Sequence, residues 1–160
     1  AELVFLPIYY QEASLILNEA DKQAYDAKFF GCDGLDGILS VEGFDTALAE
    51  GVMLLTPFVA DEDKELTKNF VAAYEEQFGG IPNQFGADAY DGMYAIKAAI
   101  EKAGLTPDMS VSDLCEGLKT AMTEITIDGL TGDGITWTAD GEPSNAPKAM
   151  VIKDGAYKAM

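Results

Sequence analysis

Short apolar runs and amphipathic stripes alternate along this chain, and their order predicts its architecture. Leu3-Val4-Phe5-Leu6 is a continuous apolar run ended by Pro7, as in a strand buried within a parallel sheet. Ile8-Tyr9-Tyr10 reads as the turn after it. A helix is predicted from about Glu12 to Ala24, because Ala13, Leu17, Ala20 and Ala24 step by four, three and four. Lys28-Phe29-Phe30 is the next predicted strand. An irregular stretch with Gly34, Gly37 and Gly43 follows, and then a third strand, Gly51-Val52-Met53-Leu54-Leu55, closed by Pro57. Strand, helix, strand and loop in this order predict an α/β fold with a parallel layer.

The middle of the chain carries helical periodicity. Asp61 or Asp63 is expected to cap a helix reaching about Phe78, with Leu66, Phe70 and Ala73 or Tyr74 inward and Gly79-Gly80 as its stop. The next helix, about Ala87 to Ala103, is expected to bury Ala89, Met93, Ile96 and Ile100 and to end at Gly104. Ser110 with Asp113 three residues on forms a capping-box variant for a fourth helix carrying Leu114, Leu118, Ala121 and Ile125. Two further strands are predicted, Gly134 to Thr138, with Trp137 in a core, and Ala149 to Ile152. They flank the turn Asp140-Gly141-Glu142-Pro143. The division predicted is 1–56 as an α/β segment, 57–131 as a helical segment belonging to another lobe, and 132–160 as strands returning to the first.

Candidate chemistry collects after the first two strands. Ligands of an open parallel sheet bind beyond the carboxyl ends of its strands, so Tyr9, Tyr10 and Asp33 are expected to converge on one edge. Asp33 lies in the glycine-rich loop Phe29-Phe30-Gly31-Cys32-Asp33-Gly34-Leu35-Asp36, where it reads either as a turn residue or as a site carboxylate. A carboxylate beside aromatic rings suits an amine or a small cation.

Charge and composition prune the alternatives. With Asp+Glu 28 against Lys+Arg 10 the formal net charge is -18, a field that repels phosphate backbones, so nucleic acid is not an expected partner. Every basic residue is Lys, so no guanidinium fork is available for an anion. The absence of His removes Ser-His-Asp and Cys-His catalysis together with imidazole metal sites. Cys32 and Cys115 do not form a CxxC pattern, Cys115 is expected in a helix core, and no cofactor is expected. The turn Asp128 to Gly134 lacks the alternating oxygen ligands of a calcium loop. No apolar run approaches the ~20 residues that span a bilayer. Residues 1 to 10 lack the basic start of a signal peptide, so an export signal is expected outside these residues.

Five pieces in sequence, spread over most of the chain, carry a family resemblance. They are Tyr9-Tyr10-Gln11-Glu12-Ala13, Gly31-Cys32-Asp33-Gly34, Ala89-Tyr90-Asp91-Gly92, Asp128-Gly129-Leu130-Thr131-Gly132 and Asp140-Gly141-Glu142. In this order they resemble extracytoplasmic solute-binding proteins of branched-chain amino-acid ABC importers, above all the leucine/isoleucine/valine-binding proteins. The resemblance implies part of a two-lobed type I periplasmic-binding-protein fold, with an amino acid held in a cleft over which the lobes close. It also implies that Asp33 receives the ligand's α-ammonium while Tyr9 packs nearby. Asp stands here where the best-known members carry the longer Glu. A membrane permease is the implied partner, and the implied location is extracytoplasmic, either periplasmic or as a cell-surface lipoprotein.

Only the later part of such a protein is matched, so a fragment is expected. Leu66, Phe70, Met93, Ile96 and Leu114 would be left partly uncovered, favouring association with the missing lobe or a second copy. Two other classes are weighed against this reading: a ligand-sensing receptor domain of the same fold, and an enzyme pairing the carboxylates Asp33 and Asp36, for which no nucleophile is apparent.

Overall fold

A computed structural model describes all 160 residues. It divides into two compact units, the first formed by Ala1–Val59 with Pro147–Met160 and the second by Ala60–Ala146. The first unit is built on a five-stranded sheet in the order β1 (Leu3–Leu6), β2 (Lys28–Gly31), β3 (Met53–Thr56), β4 (Lys148–Lys153) and β5 (Ala156–Ala159). β1, β2 and β3 run parallel, and β4 and β5 add antiparallel to them. The α/β class read from the sequence is the observed one.

Helix α1 (Tyr10–Lys22) covers the sheet through Ala13 and Leu17, which pack with Leu6, Leu54, Met150 and Ile152. It ends earlier than its apolar stripe suggested. Ala24 takes the left-handed position that turns the chain out, at φ 49, while the Tyr25 N–H closes onto the Ala20 carbonyl at 2.8 Å. From the loop after β2, Leu35 and Ile38 enter the same core and are fully buried.

The second unit holds α2 (Glu65–Phe78), α3 (Gln84–Ala103) and α4 (Val111–Met122). Gly79 and Gly104 stop α2 and α3 at φ 75 and 63, the glycine ends predicted. Ser110 caps α4, accepting the Asp113 N–H at 3.2 Å and donating its hydroxyl to the Asp113 carboxylate at 2.7 Å. The cap expected of Asp61 or Asp63 is absent. Lys64 occupies that position with no side-chain cap, and Asp63 instead pairs with Lys68 one turn on.

Three expectations are corrected. The inward face of α3 is Ala87, Asp91, Ala95 and Ala99, whereas Met93 and Ile96 are 67% and 46% exposed and Ala89 and Ile100 also face out. Small side chains let α3 approach α4 closely, where Ala95 and Ala99 meet Ala121 and Ile125. Cys115 lies on the exposed side of α4 rather than in its core. The third correction concerns 134–138, which forms no strand of the sheet. Ile135 and Trp137 make isolated bridges to Ile127 and Pro143, and Trp137 packs on the α3–α4 cluster. The chain therefore rejoins the first unit at Pro147, not at 132.

Candidate ligand-binding site

In the first unit, the turns after β1 and β2 enclose an open cleft of about 470 Å³. Pro7, Ile8, Tyr9 and Glu12 line one side, and Cys32, Asp33 and Gly34 the other. Its position follows from the topology. β1 and β2 are parallel neighbours, so their carboxyl ends open on the same edge of the sheet.

The two turns approach backbone to backbone because of a glycine. A Cβ on Gly34 would meet the Ile8 carbonyl oxygen at 2.6 Å. Gly31, the last residue of β2, is also constrained, since a Cβ there would meet the Leu6 carbonyl oxygen at 2.9 Å as well as the Leu35 side chain. The segment Asp33–Leu35 then forms a 3-10 turn, with the Asp36 N–H bonded to the Asp33 carbonyl at 2.9 Å. Leu35 points into the core while Asp33 stays exposed at the cleft.

Of the three residues singled out in the sequence, Tyr9 and Asp33 meet on this cleft and Tyr10 does not. Tyr9 is 63% exposed, whereas Tyr10 opens α1 and packs against the core cluster. Glu12 is the lining residue that sequence reasoning missed. Its place three residues after Tyr9, within the first helical turn, was the available signal. The lining thus presents two carboxyl side chains, a phenol and a thiol, with no basic group. Asp36, by contrast, is buried and outside the lining, so it does not share the cleft with Asp33 as an acid-base pair would.

The second unit contains a separate groove of about 340 Å³, bordered by Tyr90, Tyr94, Lys97, Glu101 and Asp128. The Tyr90 phenol is pushed up to about 12, chiefly by its hydrogen bond with Tyr94 and then by burial. Behind the groove, the turn 128–134 is held in place by protein groups. Asp128 accepts the Gly134 N–H at 2.8 Å, and the Lys64 ammonium donates to the Gly129 carbonyl at 2.7 Å and to Asp133. Such contacts belong to a turn that the protein itself organises.

A family model described as periplasmic binding protein matches residues 1–156, and the chain belongs to that family. Among solved structures, it is similar to a leucine-binding protein of Thermotoga maritima, with 22% identity and a TM-score of 0.80 over 99% of this chain and 43% of that one. A branched-chain amino-acid transporter substrate-binding protein of Streptococcus pneumoniae in complex with isoleucine gives 22% identity and a TM-score of 0.79, over 99% and 43%. The solute-binding protein of an ABC transporter from R. palustris in complex with benzoate gives 17% identity and a TM-score of 0.81, over 99% and 42%. The chain therefore spans less than half the length of these structures. No curated protein matched it. No helix is long and apolar enough to cross a membrane.

Proposed function

We propose that this chain is part of the extracytoplasmic solute-binding component of an ABC importer, and that its ligand is a branched-chain or similar amino acid. One observation carries the ligand class. The cleft sets Asp33 and Tyr9 together and offers no cation. An ammonium group is matched by a charge-assisted hydrogen bond to Asp33 and by the aromatic face of Tyr9. A benzoate, such as the R. palustris protein holds, has no ammonium group and would leave the carboxylates of Asp33 and Glu12 unmatched at the cleft.

The cleft holds nothing for an amino acid's carboxylate. We assign that end of the ligand to the part of the solved structures' length that this chain does not span. The first unit is assigned to the ligand-binding lobe and the helical unit to the other. A membrane permease is the partner that receives the ligand, as for other solute-binding components.

Calorimetry on the intact natural protein carrying these residues tests the reading. Leucine, isoleucine or valine is expected to bind and benzoate not to. Asp33→Asn is expected to weaken amino-acid binding at least tenfold, about the worth of one charge-assisted hydrogen bond. Benzoate binding with silent amino acids would overturn it.

A further inference from the structure

The carboxy-terminal hairpin reaches the candidate ligand loop through one hydroxyl group. Asp154 and Gly155, at φ 55 and 70, form the tight turn between β4 and β5 and set Tyr157 opposite Ile152. The Tyr157 ring packs against the core of the first unit. Its oxygen accepts the backbone N–H of Gly37 at 2.9 Å, from a position 120 residues away in the sequence. Gly37 stands at φ 111 and opens the 3-10 turn Ile38–Ser40, and the buried Asp36 immediately precedes it.

The loop that presents Asp33 is thus fastened at two kinds of point. Leu35 and Ile38 anchor its apolar side in the core. Neither fixes the peptide groups between them. Tyr157 holds those at Gly37, and the Asp36 N–H passes the constraint back to the Asp33 carbonyl at 2.9 Å.

We propose that Tyr157 is a positioning residue for the ligand site: its hydroxyl grips Gly37 and so holds the segment from Asp33 to Asp36 where Asp33 faces the cleft beside Tyr9. This rests on Asp33 being the group that receives the ligand's ammonium. Burial, followed by the nearby Asp36 carboxylate, pushes the phenol up to about 12, while the N–H groups of Gly37, Leu39 and Ile38 pull the other way. The grip is therefore made by a neutral hydroxyl throughout the neutral pH range.

The test compares wild type, Tyr157→Phe, Asp33→Asn and the double variant of the intact natural protein. Leucine affinity is measured by calorimetry and the exchange of amides 33–40 by hydrogen-deuterium methods. Tyr157→Phe keeps the ring and is expected to weaken leucine about five- to tenfold, the usual worth of a single hydrogen bond. Exchange at 33–40 is expected to rise at least about tenfold with β1 to β3 unchanged, as for a local opening. In the Asp33→Asn background the same change is expected to cost less than about twofold, because the two residues act through one contact. Unchanged exchange at 33–40, or the same fold-loss in both backgrounds, overturns the positioning role alone. If Asp33→Asn binds leucine like wild type, or wild type binds none of leucine, isoleucine and valine, the amine reading fails and this inference with it.

Discussion

Asp91 and Thr131 are joined twice through one oxygen: Oδ2 of Asp91 accepts the Thr131 backbone N–H at 2.8 Å and its hydroxyl at 2.7 Å. The other carboxylate oxygen takes the Leu130 N–H, also at 2.8 Å. Both residues are buried, and a Cβ on Gly129 would stand 2.4 Å from Oδ2. Two of the sequence pieces that carry the family resemblance, Ala89-Tyr90-Asp91-Gly92 and Asp128-Gly129-Leu130-Thr131-Gly132, are therefore the two halves of one structural joint.

Asp91→Asn tests that joint. An amide keeps one acceptor but turns an NH2 group toward donors that need an oxygen. Destabilisation of about 2–4 kcal/mol is expected, because charged hydrogen bonds are lost and buried N–H groups are left unpaired. Urea unfolding followed by circular dichroism measures it, and a loss below about 1 kcal/mol would mean that the joint relaxes freely.

Gly34→Ala and Gly92→Ala should move stability in opposite directions. At Gly34 the added methyl runs into the Ile8 carbonyl at 2.6 Å, between two turns fixed by the sheet. A cost of about 1–3 kcal/mol is expected, with leucine binding weakened as the cleft spreads. Gly92 lies inside α3 with open space where its Cβ would go, so alanine should gain about 0.5–1 kcal/mol from helix propensity. Thermal unfolding of the two variants side by side decides the signs.

Alkali should weaken the fold partly through Tyr157. Its folded pKa is raised from 10.0 to about 12, so the folded state holds the proton more firmly than the unfolded chain does. This contribution is fully present below pH 10 and is lost as pH rises toward 12, to the extent of about 2–3 kcal/mol. Tyr157→Phe should show a shallower fall of stability over that range than wild type. Parallel curves would mean that the phenol ionises in the folded state as easily as in the unfolded chain.

The isolated 160-residue chain is expected to self-associate. Leu3 and Phe5 on β1 are each 52% exposed, and Leu15 on α1 and Met93 on α3 are 68% and 67% exposed. Exposed apolar area contributes about 25 cal/mol per Å² once covered, enough to favour pairing of such faces. Sedimentation equilibrium should detect association at micromolar concentration, and Met93→Ser with Ile96→Ser should reduce it. A chain that stays monomeric would overturn the expectation, and association unchanged by these substitutions would show that the α3 face is not used.

Elements bounded by strong punctuation were readable in the sequence. Pro7 closes β1, while Gly79 and Gly104 stop α2 and α3 in the left-handed conformation that favours glycine. β5 was not read, because Ala156-Tyr157-Lys158-Ala159 carries one large apolar residue and no clear alternation. Its signal was the preceding Asp154-Gly155, a two-residue hairpin turn. On α3 the periodicity pointed to the bulky stripe, but α4 packs where side chains are small, and a single helix does not encode its neighbour's shape. The cleft's location followed from strand ends. The different fates of Tyr9 and Tyr10 did not, since α1 begins between them and successive helical positions diverge by about 100°.

Thr56, the last residue of β3, is the cross-strand partner of Lys148, the first residue of β4. Antiparallel partners lie about 5 Å apart, a gap that a turn of two to five residues closes. The whole helical unit is thus an excursion between two adjacent points of the sheet, and splicing a short Asn-Gly turn in place of residues 57–147 would make β3 and β4 an ordinary hairpin. The product would be a miniature keeping the five-stranded sheet with Tyr9, Glu12, Asp33 and Tyr157, small enough for residue-by-residue magnetic resonance of the cleft proposed to receive an amine.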